Sequence, residues 1–322
     1  MKAIVYSQYG SPDVLHCEEI AKPTPADHEV LIRVRAAALN PLDWHFMRGT
    51  PYFMRLMSGL RRPKVKQLGV DVAGEVEALG SGVTRFAPGD AVFGTCRGAF
   101  AEYACAAESA LATKPDNVTF EQAAAANVAA FTALQALRHK GELRAGQKVL
   151  VNGAAGGVGT FAVQIAKALG ADVTAVCSTH NLELVRSLGA DRVIDYTQED
   201  FTREGAARYD LVLDCIGNHS LAACRRVLAP SGRYVQVGGQ GGQWLGPLPR
   251  ALAILVLSRL VSQELSLMLA RGSQADLVTM RDLMAAGRVR PVIDRRYSLA
   301  AAPEAIRYLE AGHARGKVVL AV

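Results

Sequence analysis

The stretch that decides the fold is KVLVNGAAGGVGTFAVQIAKALG, residues 148–170. Its first five residues predict a short buried strand, and its second half predicts a helix that ends at the final glycine. Between the two, Ala154, Gly156 and Gly159 occupy the G-x-G-x-x-G spacing. A glycine-rich turn that joins a strand to a helix is typical of a dinucleotide-binding site.

The glycines of this turn have separate physical roles. Gly156 and Gly157 let the backbone approach a pyrophosphate, and Gly159 lets the helix pack closely against the strand. The helix N-terminus adds free N–H groups and the positive end of the helix dipole. A turn that is only structural is the alternative, but further βα units downstream favour a cofactor site. The residues predicted to contact the cofactor here are Ala155, Gly156, Gly157, Val158 and Gly159.

The rest of the second half repeats the alternation of strand and helix. The segments DVTAVC, RVID, YDLVLDCI and GRYVQVG are short and apolar, and helical segments lie between them. Such βαβ repetition predicts an α/β fold with a doubly wound parallel sheet of the Rossmann type. It follows the capping box Thr119-x-x-Gln122, which opens an alanine-rich helix predicted to run to about Lys140.

The first third has the period-two pattern of antiparallel strands. Val30, Ile32 and Val34 alternate with Leu31 and Arg33, so a β-rich domain is predicted to precede the parallel sheet. A length of 322 residues is enough for two such domains. Six cysteines without a C-x-x-C pair, no signal segment and no apolar run of membrane-spanning length predict a cytoplasmic protein.

The segment after the second strand of the nucleotide fold decides between NAD and NADP. An NAD enzyme usually has an acidic residue there, which binds the ribose 2′-OH. This chain has CSTHN, residues 177–181, with no carboxylate, and Ser178, His180 and Asn181 can donate hydrogen bonds to a 2′-phosphate. We therefore predict NADP(H) as the cofactor. The alternative is that these residues only cap the next helix.

With these features the sequence resembles the zinc-independent quinone oxidoreductase branch of the medium-chain dehydrogenase/reductase superfamily. The resemblance covers nearly the whole chain. It rests on AALNPLD (37–43), GVDVAGEVEALGSGV (69–83), FAPGDAVFG (86–94), NGAAGGVG (152–159), LGADRVIDY (188–196) and GKVVL (316–320). It implies a GroES-like substrate domain over residues 1–118, a Rossmann NADP-binding domain over 119–288, and a return to the GroES-like domain over 289–322. It also implies an active-site cleft between the two domains.

The resemblance assigns roles to individual residues. Asn40 is expected to orient groups at the floor of the cleft, and Thr132 is expected to lie against the nicotinamide. His45 stands where related enzymes have a tyrosine, and is expected to act as a hydrogen-bond donor or proton relay. A loop histidine that is satisfied by its own surroundings is the alternative. The other expected cofactor contacts are Tyr196 and Lys317, at the phosphates, and Ile216 and Gly238.

Departures from the zinc-dependent alcohol dehydrogenases predict a site without metal. Where those enzymes have their first zinc-binding cysteine, this chain resembles the quinone branch in having Asn40. Where they have Gly-His-Glu, it has Gly-Val-Asp, residues 69–71. Catalytic zinc needs three protein ligands and an open position, so we expect no zinc. Residual binding through Asp43, His45 and Asp71 is the alternative.

A site without metal favours a particular kind of hydride acceptor. Hydride addition to an isolated ketone places a localised charge on oxygen, which zinc or a strong acid normally stabilises. Addition to a quinone or an enone spreads that charge over a conjugated system. The sequence therefore predicts an NADPH-dependent reductase of quinones or α,β-unsaturated carbonyl compounds. The alternatives are a zinc-free alcohol or carbonyl dehydrogenase and a crystallin-like NADPH-binding protein with little turnover.

A basic segment from Thr50 to Gln67 has no assigned role. Its cations are Arg55, Arg61, Arg62, Lys64 and Lys66, it contains no acidic residue, and the whole chain has a net charge of +6. Most such segments are solvated loops. The functional alternatives are a rim that attracts the anionic cofactor and a patch for RNA, because zeta-crystallin in this family is associated with nucleic acids. We do not expect nucleic-acid binding, because no aromatic-studded RNA module is present.

The expected partners are a small-molecule quinone or enone and a second copy of the chain. The resemblance implies a homodimer, with a sheet edge near Leu265 to Leu269 as the expected contact. A membrane is not an expected partner.

Overall fold

The computed structural model describes residues 1–203, 208–238, 246 and 248–322. The strands of this part of the chain are β1 (Lys2–Val5), β2 (His16–Glu19), β3 (Glu29–Ala38), β4 (Asp71–Leu79), β5 (Ala91–Thr95), β6 (Tyr103–Ala107), β7 (Leu111–Thr113), β8 (Lys148–Asn152), β9 (Asp172–Cys177), β10 (Arg192–Asp195), β11 (Tyr209–Asp214), β12 (Leu228–Gln236), β13 (Glu264–Leu267), β14 (Ile293–Ser298) and β15 (Lys317–Ala321). The α-helices are α1 (Pro41–Arg48), α2 (Arg55–Ser58), α3 (Phe120–Ala125), α4 (Val128–Gln135), α5 (Gly157–Ala168), α6 (Leu182–Ser187), α7 (Leu221–Arg226), α8 (Leu248–Leu257), α9 (Gln274–Ala285) and α10 (Ala302–Glu310).

The contacts divide the described chain into two compact units. Unit 1 comprises Met1–Phe131, Gly272–Gly287 and Pro291–Val322, and unit 2 comprises Thr132–Arg271 and Arg288–Arg290. This division differs from the domain boundaries predicted after residues 118 and 288. The reason is packing: α3 contacts β3 and β4, and α9 contacts β7, so both helices belong with the strands of unit 1.

Unit 2 is built on a parallel sheet with the strand order β10-β9-β8-β11-β12-β13. Every adjacent pair in this order is parallel. Numbered from β8, the order is 3-2-1-4-5-6, which is the order of a doubly wound dinucleotide-binding sheet. The predicted Rossmann-type fold is therefore confirmed. The strands β9 and β10 lie on one side of β8, and β11, β12 and β13 lie on the other, so the strand order reverses between β8 and β11. Ligands of such sheets bind at that switch point.

Unit 1 is built on a mainly antiparallel sheet with the strand order β14-β15-β3-β4-β5-β7, and β6 also pairs with β3. Strand β15 pairs antiparallel with β3 through Val319–Ala38, Leu320–Ala37 and Ala321–Ala36. The last strand of the chain thus lies beside a strand from its first forty residues. This pairing places Lys317, the first residue of β15, close to the end of β3.

Each unit has its own hydrophobic core. In unit 1 the largest fully buried side chains include Phe93 and Phe100, and in unit 2 they include Phe161 and Tyr234. Helix α5 buries every residue from Gly159 to Ala166. Removal of this much apolar surface from water is what fixes α5 beside the parallel sheet.

The alanine-rich helix predicted from Thr119 to about Lys140 is interrupted. Thr119 forms the predicted capping box with Gln122, but α3 ends at Ala125 and α4 begins at Val128. A π-helical turn, Ala136–Lys140, then completes the segment. The interruption lies at Asn127, whose amide donates to Val72 O (3.3 Å) and Ala124 O (3.1 Å). A contact with β4, which is distant in the chain, therefore helps to determine where α3 ends and α4 begins. The local sequence pattern carries no information about this contact.

Within the described residues, the structure contains no helix with the length and apolarity needed to cross a lipid bilayer.

Candidate functional site

The residues predicted to contact the cofactor follow the carboxyl ends of the parallel strands of unit 2, with Lys317 as the exception. The glycine turn follows β8, Ser178 follows β9, Tyr196 follows β10, Ile216 follows β11 by two residues, and Gly238 follows β12 by two residues. Because adjacent parallel strands end at the same edge of a sheet, the structure brings these residues to one edge. The switch point between β8 and β11 lies in the middle of this edge.

The glycine turn after β8 has a backbone that side chains would disrupt. Gly153 has a φ of +83°. A Cβ on Gly159 would lie 2.1 Å from the carbonyl oxygen of Gly153 and 2.7 Å from Ala154 Cα. Gly156 is the N-cap of α5 and offers no side chain to its first turn. The first N–H groups of α5 therefore face no capping side chain, which fits the binding of an anionic pyrophosphate.

Ile216 lies against this turn, and Gly238 lies close to Cys215, the residue that follows β11. A Cβ on Gly153 would come within 2.7 Å of Ile216 Cγ1, so the isoleucine side chain packs directly on the glycine. A Cβ on Gly238 would come within 2.5 Å of the carbonyl oxygen of Cys215. Ile216 remains 39% exposed, so it presents an apolar surface beside the glycine turn.

The segment after β9 places the three residues predicted at the 2′-phosphate in a short turn. Ser178 is the N-cap of a 3-10 helix, Thr179–Asn181, and Asn181 Nδ2 donates to Ser178 Oγ over 3.1 Å. His180 is exposed. Within the described part of the chain, the buried Oδ1 of Asn181 has no hydrogen-bond partner. An amide oxygen only accepts, so a hydrogen-bond donor such as water or a hydroxyl group would complete this position.

Asp195, which the sequence analysis did not select, shapes this edge of the sheet. It is the last residue of β10 and lies opposite Cys177 of β9. Its carboxylate accepts hydrogen bonds from Thr179 Oγ1 (2.5 Å), Thr197 Oγ1 (2.8 Å) and the Thr197 amide (3.0 Å). These hydrogen bonds, with that of Thr179 the largest contribution, lower the pKa of Asp195. The charged Asp195 thus joins the turns after β9 and β10, and its oxygens are already engaged.

A second residue that the sequence analysis missed, Asp214, ends β11 and is completely buried. Its Oδ1 accepts from Asn152 Nδ2 (2.9 Å), from the Ile216 amide (3.1 Å) and from the Gly217 amide (2.8 Å). Asn152 is the last residue of β8. Asp214 therefore fixes the turn that carries Ile216 to the end of the neighbouring strand, at the switch point.

Arg250 of α8 supplies the charge that balances Asp214. Its Nη2 lies 3.4 Å from Asp214 Oδ2 and donates to the Tyr234 hydroxyl over 2.7 Å. The same hydroxyl donates to Asp214 Oδ2 over 2.7 Å. Arg250 also donates to Gln236 Oε1 (2.6 Å) and, through Nη1, to the His219 carbonyl (2.7 Å). The ends of β11 and β12 are thus held by one buried polar network. The only sequence signal was an acidic residue at the end of an apolar strand.

In unit 1 a buried polar cluster surrounds Lys317. Its ammonium donates to Leu39 O (2.7 Å), Asn40 Oδ1 (2.6 Å) and Asp71 Oδ2 (3.3 Å). Asn40 Nδ2 donates to the same Asp71 oxygen over 2.9 Å. The prediction that Lys317 approaches the cofactor phosphates is therefore corrected. Its ammonium is buried and directed to three acceptors inside unit 1, so it is not free to bind a phosphate.

Asp43, on the first turn of α1, completes the cluster. Its Oδ2 accepts from the Asn40 amide (2.7 Å) as part of a capping box, and its Oδ1 accepts from the Gly69 amide (3.2 Å). Burial raises the pKa of Asp43 to about 7, and the charge of Asp71 adds to the rise. The hydrogen bonds to Asp43 and the charge of Lys317 oppose it.

Asp71 connects this cluster to helix α4. Its Oδ1 accepts from the Val128 amide over 3.1 Å, at the N-terminus of that helix, where a negative charge is favourable. Burial raises the pKa of Asp71, although Lys317 and Asn40 act in the opposite direction. Thr132, predicted to lie against the nicotinamide, is on the next turn of α4 and is mostly buried, and the division by contacts assigns it to unit 2.

The residues of this cluster do not fit a zinc ion. Asn40 and Asp71 already accept from the Lys317 ammonium, and a divalent cation beside that buried charge would be strongly repelled. Among the described residues, no group of three or more His, Cys, Asp and Glu side chains is placed to hold a metal. Asp43 and Asp71 serve backbone amides and Lys317 instead.

His45 lies on α1 with its ring close to Trp44. Its Nδ1 lies 2.7 Å from the carbonyl oxygen of Thr50. Since a carbonyl only accepts, Nδ1 carries the proton. Burial lowers the pKa of His45, although Thr50 and Glu310 oppose the shift. A neutral ring in this tautomer offers only an acceptor at Nε2, so the geometry does not provide the predicted hydrogen-bond donor to substrate oxygen.

Comparisons with known proteins agree with this arrangement. The alcohol dehydrogenase GroES-like domain family matches residues 26–116, and the family described as zinc-binding dehydrogenase matches residues 188–320. The chloroplast envelope quinone oxidoreductase homolog of Arabidopsis thaliana is 35% identical, over 99% of this chain and 98% of that protein. The NADPH-dependent alkenal/one oxidoreductase of the same plant is 37% identical, over 99% of this chain and 79% of that protein. The Escherichia coli quinone oxidoreductase, solved in complex with NADPH, is 25% identical over both full chains, with a TM-score of 0.84.

Proposed function

The chain belongs to the quinone oxidoreductases of the medium-chain dehydrogenase/reductase superfamily, and from that premise we propose that it is a zinc-independent NADPH-dependent reductase. Its proposed substrates are quinones or α,β-unsaturated carbonyl compounds, which accept a hydride.

The observation that carries this proposal is the position of the Lys317 ammonium. It donates to Leu39 O, Asn40 Oδ1 and Asp71 Oδ2. By resemblance, Asn40 stands where the alcohol dehydrogenases have their first zinc-binding cysteine, and Asp71 belongs to the segment where they have Gly-His-Glu. With these acceptors engaged, no Lewis acid is available to stabilise a localised alkoxide. A conjugated acceptor needs less stabilisation by the protein, because its own π-system spreads the developing negative charge.

The nucleotide-binding edge of unit 2 is the proposed site for NADPH, which supplies the hydride when bound. The amides of Gly157, Val158 and Gly159 at the start of α5 would hold the pyrophosphate. Ser178, His180 and Asn181 would hold the 2′-phosphate, with Tyr196 nearby. Ile216 and Gly238 would border the cofactor along the ends of β11 and β12. The exposure of His180, Tyr196 and Ile216 and the uncapped first turn of α5 support this assignment.

Asn40 and Thr132 remain the proposed catalytic residues. The Asn40 amide is held by Lys317 and Asp71, so its orientation is fixed before any substrate arrives. Such preorganisation is what an orienting group in an active site requires. His45, as a neutral acceptor, is retained only as a relay that takes up a proton before passing it on.

A panel of substrates tests this proposal. NADPH oxidation would be measured with a simple quinone and a 2-alkenal, and NADP⁺ reduction with a simple primary alcohol, before and after treatment with a chelator. We expect turnover of the quinone and the alkenal, little turnover of the alcohol, and no effect of the chelator. About one zinc per chain with activity lost on chelation would contradict the proposal.

We also propose that the protein forms a homodimer and is cytoplasmic. Strand β13 is at the edge of the described parallel sheet, and α8 packs beside it. Exposed apolar side chains of this region include Leu252, Leu255, Leu260, Leu267 and Leu269. An exposed apolar edge strand is a preferred surface for pairing with a second copy. Light scattering should report twice the chain mass of 34.3 kDa, and a monomeric mass would refute the dimer.

A further inference from the structure

The loop formed by residues 55–66, here called the basic loop, exposes several large apolar side chains. Leu56 is 72% exposed, Met57 85%, Leu60 69% and Val65 49%. Three of these belong to α2 or the turn that follows it. Isolated exposed apolar residues are ordinary, but several within one short loop mark an interaction surface.

The same loop carries a concentrated positive charge. Arg61, Arg62, Lys64 and Lys66 are all exposed, and residues 50–67 contain no acidic side chain. In the described part of the chain, no ion pair includes any of these four cations. Their charge is therefore not neutralised within the protein and is available to an anionic partner.

Hydrogen bonds within the basic loop and to neighbouring residues of unit 1 hold its backbone in place. The Lys64 amide donates to Ser58 O over 2.8 Å, which folds the loop back on α2. The Tyr9 hydroxyl donates to Gly59 O over 2.7 Å, and Arg55 Nε donates to Gly49 O over 2.8 Å. Hydrogen bonds of the backbone and of Arg55 thus hold the loop, while Leu56, Met57 and Leu60 remain exposed. The exposed apolar surface belongs to an ordered element.

We propose, in contrast to the expectation from the sequence that a membrane is not a partner, that the basic loop binds the surface of anionic lipid membranes. Its leucine and methionine side chains would enter the headgroup region, while its arginine and lysine side chains would contact lipid phosphates. Stable attachment to a membrane generally needs two such contributions, apolar burial and attraction to anionic lipid. The loop supplies both within twelve residues. This proposal goes beyond the reductase function and needs neither cofactor nor turnover.

The chemistry of the exposed side chains favours lipid over nucleic acid. Proteins that bind single-stranded nucleic acids place aromatic rings against the bases. The most exposed apolar side chains of the basic loop are Leu56, Met57 and Leu60, which are aliphatic and cannot stack in this way. In a lipid membrane, aliphatic side chains can contact the acyl chains while the neighbouring cations contact the lipid phosphates.

Sedimentation with vesicles tests the proposal. The full-length protein would be mixed with vesicles of phosphatidylcholine alone, or of phosphatidylcholine and phosphatidylglycerol in roughly equal amounts. We expect binding only to the anionic vesicles, weakened by high salt. The triple variant Leu56→Ser, Met57→Ser, Leu60→Ser and the double variant Arg61→Gln, Arg62→Gln should each reduce binding by about tenfold or more. The matched controls are Arg138→Gln and Arg144→Gln, at two exposed arginines of unit 2.

Three results would overturn the proposal. One is absence of binding to the anionic vesicles, and another is a loss of binding in the controls equal to that in the loop variants. The third is binding to a single-stranded RNA oligonucleotide with a higher affinity than to the anionic vesicles. Because sedimentation requires no NADPH and no turnover, its outcome does not depend on whether the reductase proposal holds.

Discussion

The ammonium of Lys317 lies 3.3 Å from Oδ2 of Asp71, and their side chains are only 4% and 0% exposed. The two residues are 246 positions apart in the chain and meet because β15 pairs with β3, next to β4. A buried carboxylate of this kind requires its partner, because an unpaired charge in a protein interior is strongly unfavourable.

The first prediction concerns this ion pair. Lys317→Met should lower the free energy of unfolding by roughly 3 to 5 kcal/mol, because it leaves the Asp71 carboxylate buried without its cation. The double variant Asp71→Asn, Lys317→Met removes both charges and should recover part of that loss. Urea unfolding of the three proteins measures the difference. A double variant that is no more stable than Lys317→Met would show that the pair is not coupled as described.

The second prediction concerns the pH dependence of stability. Burial raises the pKa of Asp43 from 3.8 to about 7, so between these values the native protein holds a proton that the unfolded chain has released. The free energy of unfolding should therefore fall as pH rises through this interval, and the raised pKa of Asp71 acts in the same direction. Asp43→Asn removes one titrating group, so its deficit relative to wild type should be smaller at about pH 8 than at about pH 5. An equal deficit at both would contradict the raised pKa.

The third prediction concerns the glycine turn. Gly159→Ala places a Cβ against the backbone of Gly153 and Ala154, so α5 must move away from the end of β8. We expect NADPH affinity to fall by about tenfold or more, because the amides that face the pyrophosphate move with the helix. Gly272→Ala is the control, since a Cβ there would meet no atom within 4 Å. Fluorescence titration gives both affinities, and an unchanged Kd in Gly159→Ala would refute this role of the turn.

The fourth prediction concerns cofactor choice. Wild type should prefer NADPH over NADH, and Ser178→Asp should erase or reverse that preference. A carboxylate at Ser178 would repel the 2′-phosphate and remove one hydrogen bond, at a cost on the order of 2 kcal/mol, or about thirtyfold in affinity. Ser187→Asp, at an exposed serine of α6, controls for added charge. The measurement is the ratio of kcat/KM for the two cofactors. A wild-type ratio below one would refute the assignment of Ser178, His180 and Asn181.

The parallel sheet and its glycine turn, at the edge proposed to bind NADPH, could be predicted from the sequence because their determinants are local. A strand, a glycine turn and a helix follow one another along the chain, and repetition of the unit fixes the parallel sheet. The family and the fold class predicted in this way are confirmed. Ser178 and Asn181 likewise lie in a single short turn.

The unit 1 cluster could not be predicted in the same way. Lys317 is 277 residues from Asn40, and its direction is set by the register of β15 on β3. No local pattern separates a lysine that faces a phosphate from one that is buried beside an aspartate. The break between α3 and α4 has the same origin, because Val72 and Asp71 supply the acceptors for Asn127 and Val128. Asp195 and Asp214 were missed because their partners come from other strands and turns.

The most direct test of the central claim compares an enone with the saturated ketone of the same carbon skeleton. Both would be assayed with NADPH on chelator-treated wild-type protein, and kcat/KM would be determined for each. If, as we propose, Lys317 takes the place of a Lewis acid at this site, the enone should be reduced with a kcat/KM at least about a hundredfold higher. Equal kcat/KM for the two compounds would show that the site stabilises a localised alkoxide without metal. That result would contradict the proposed restriction to conjugated acceptors.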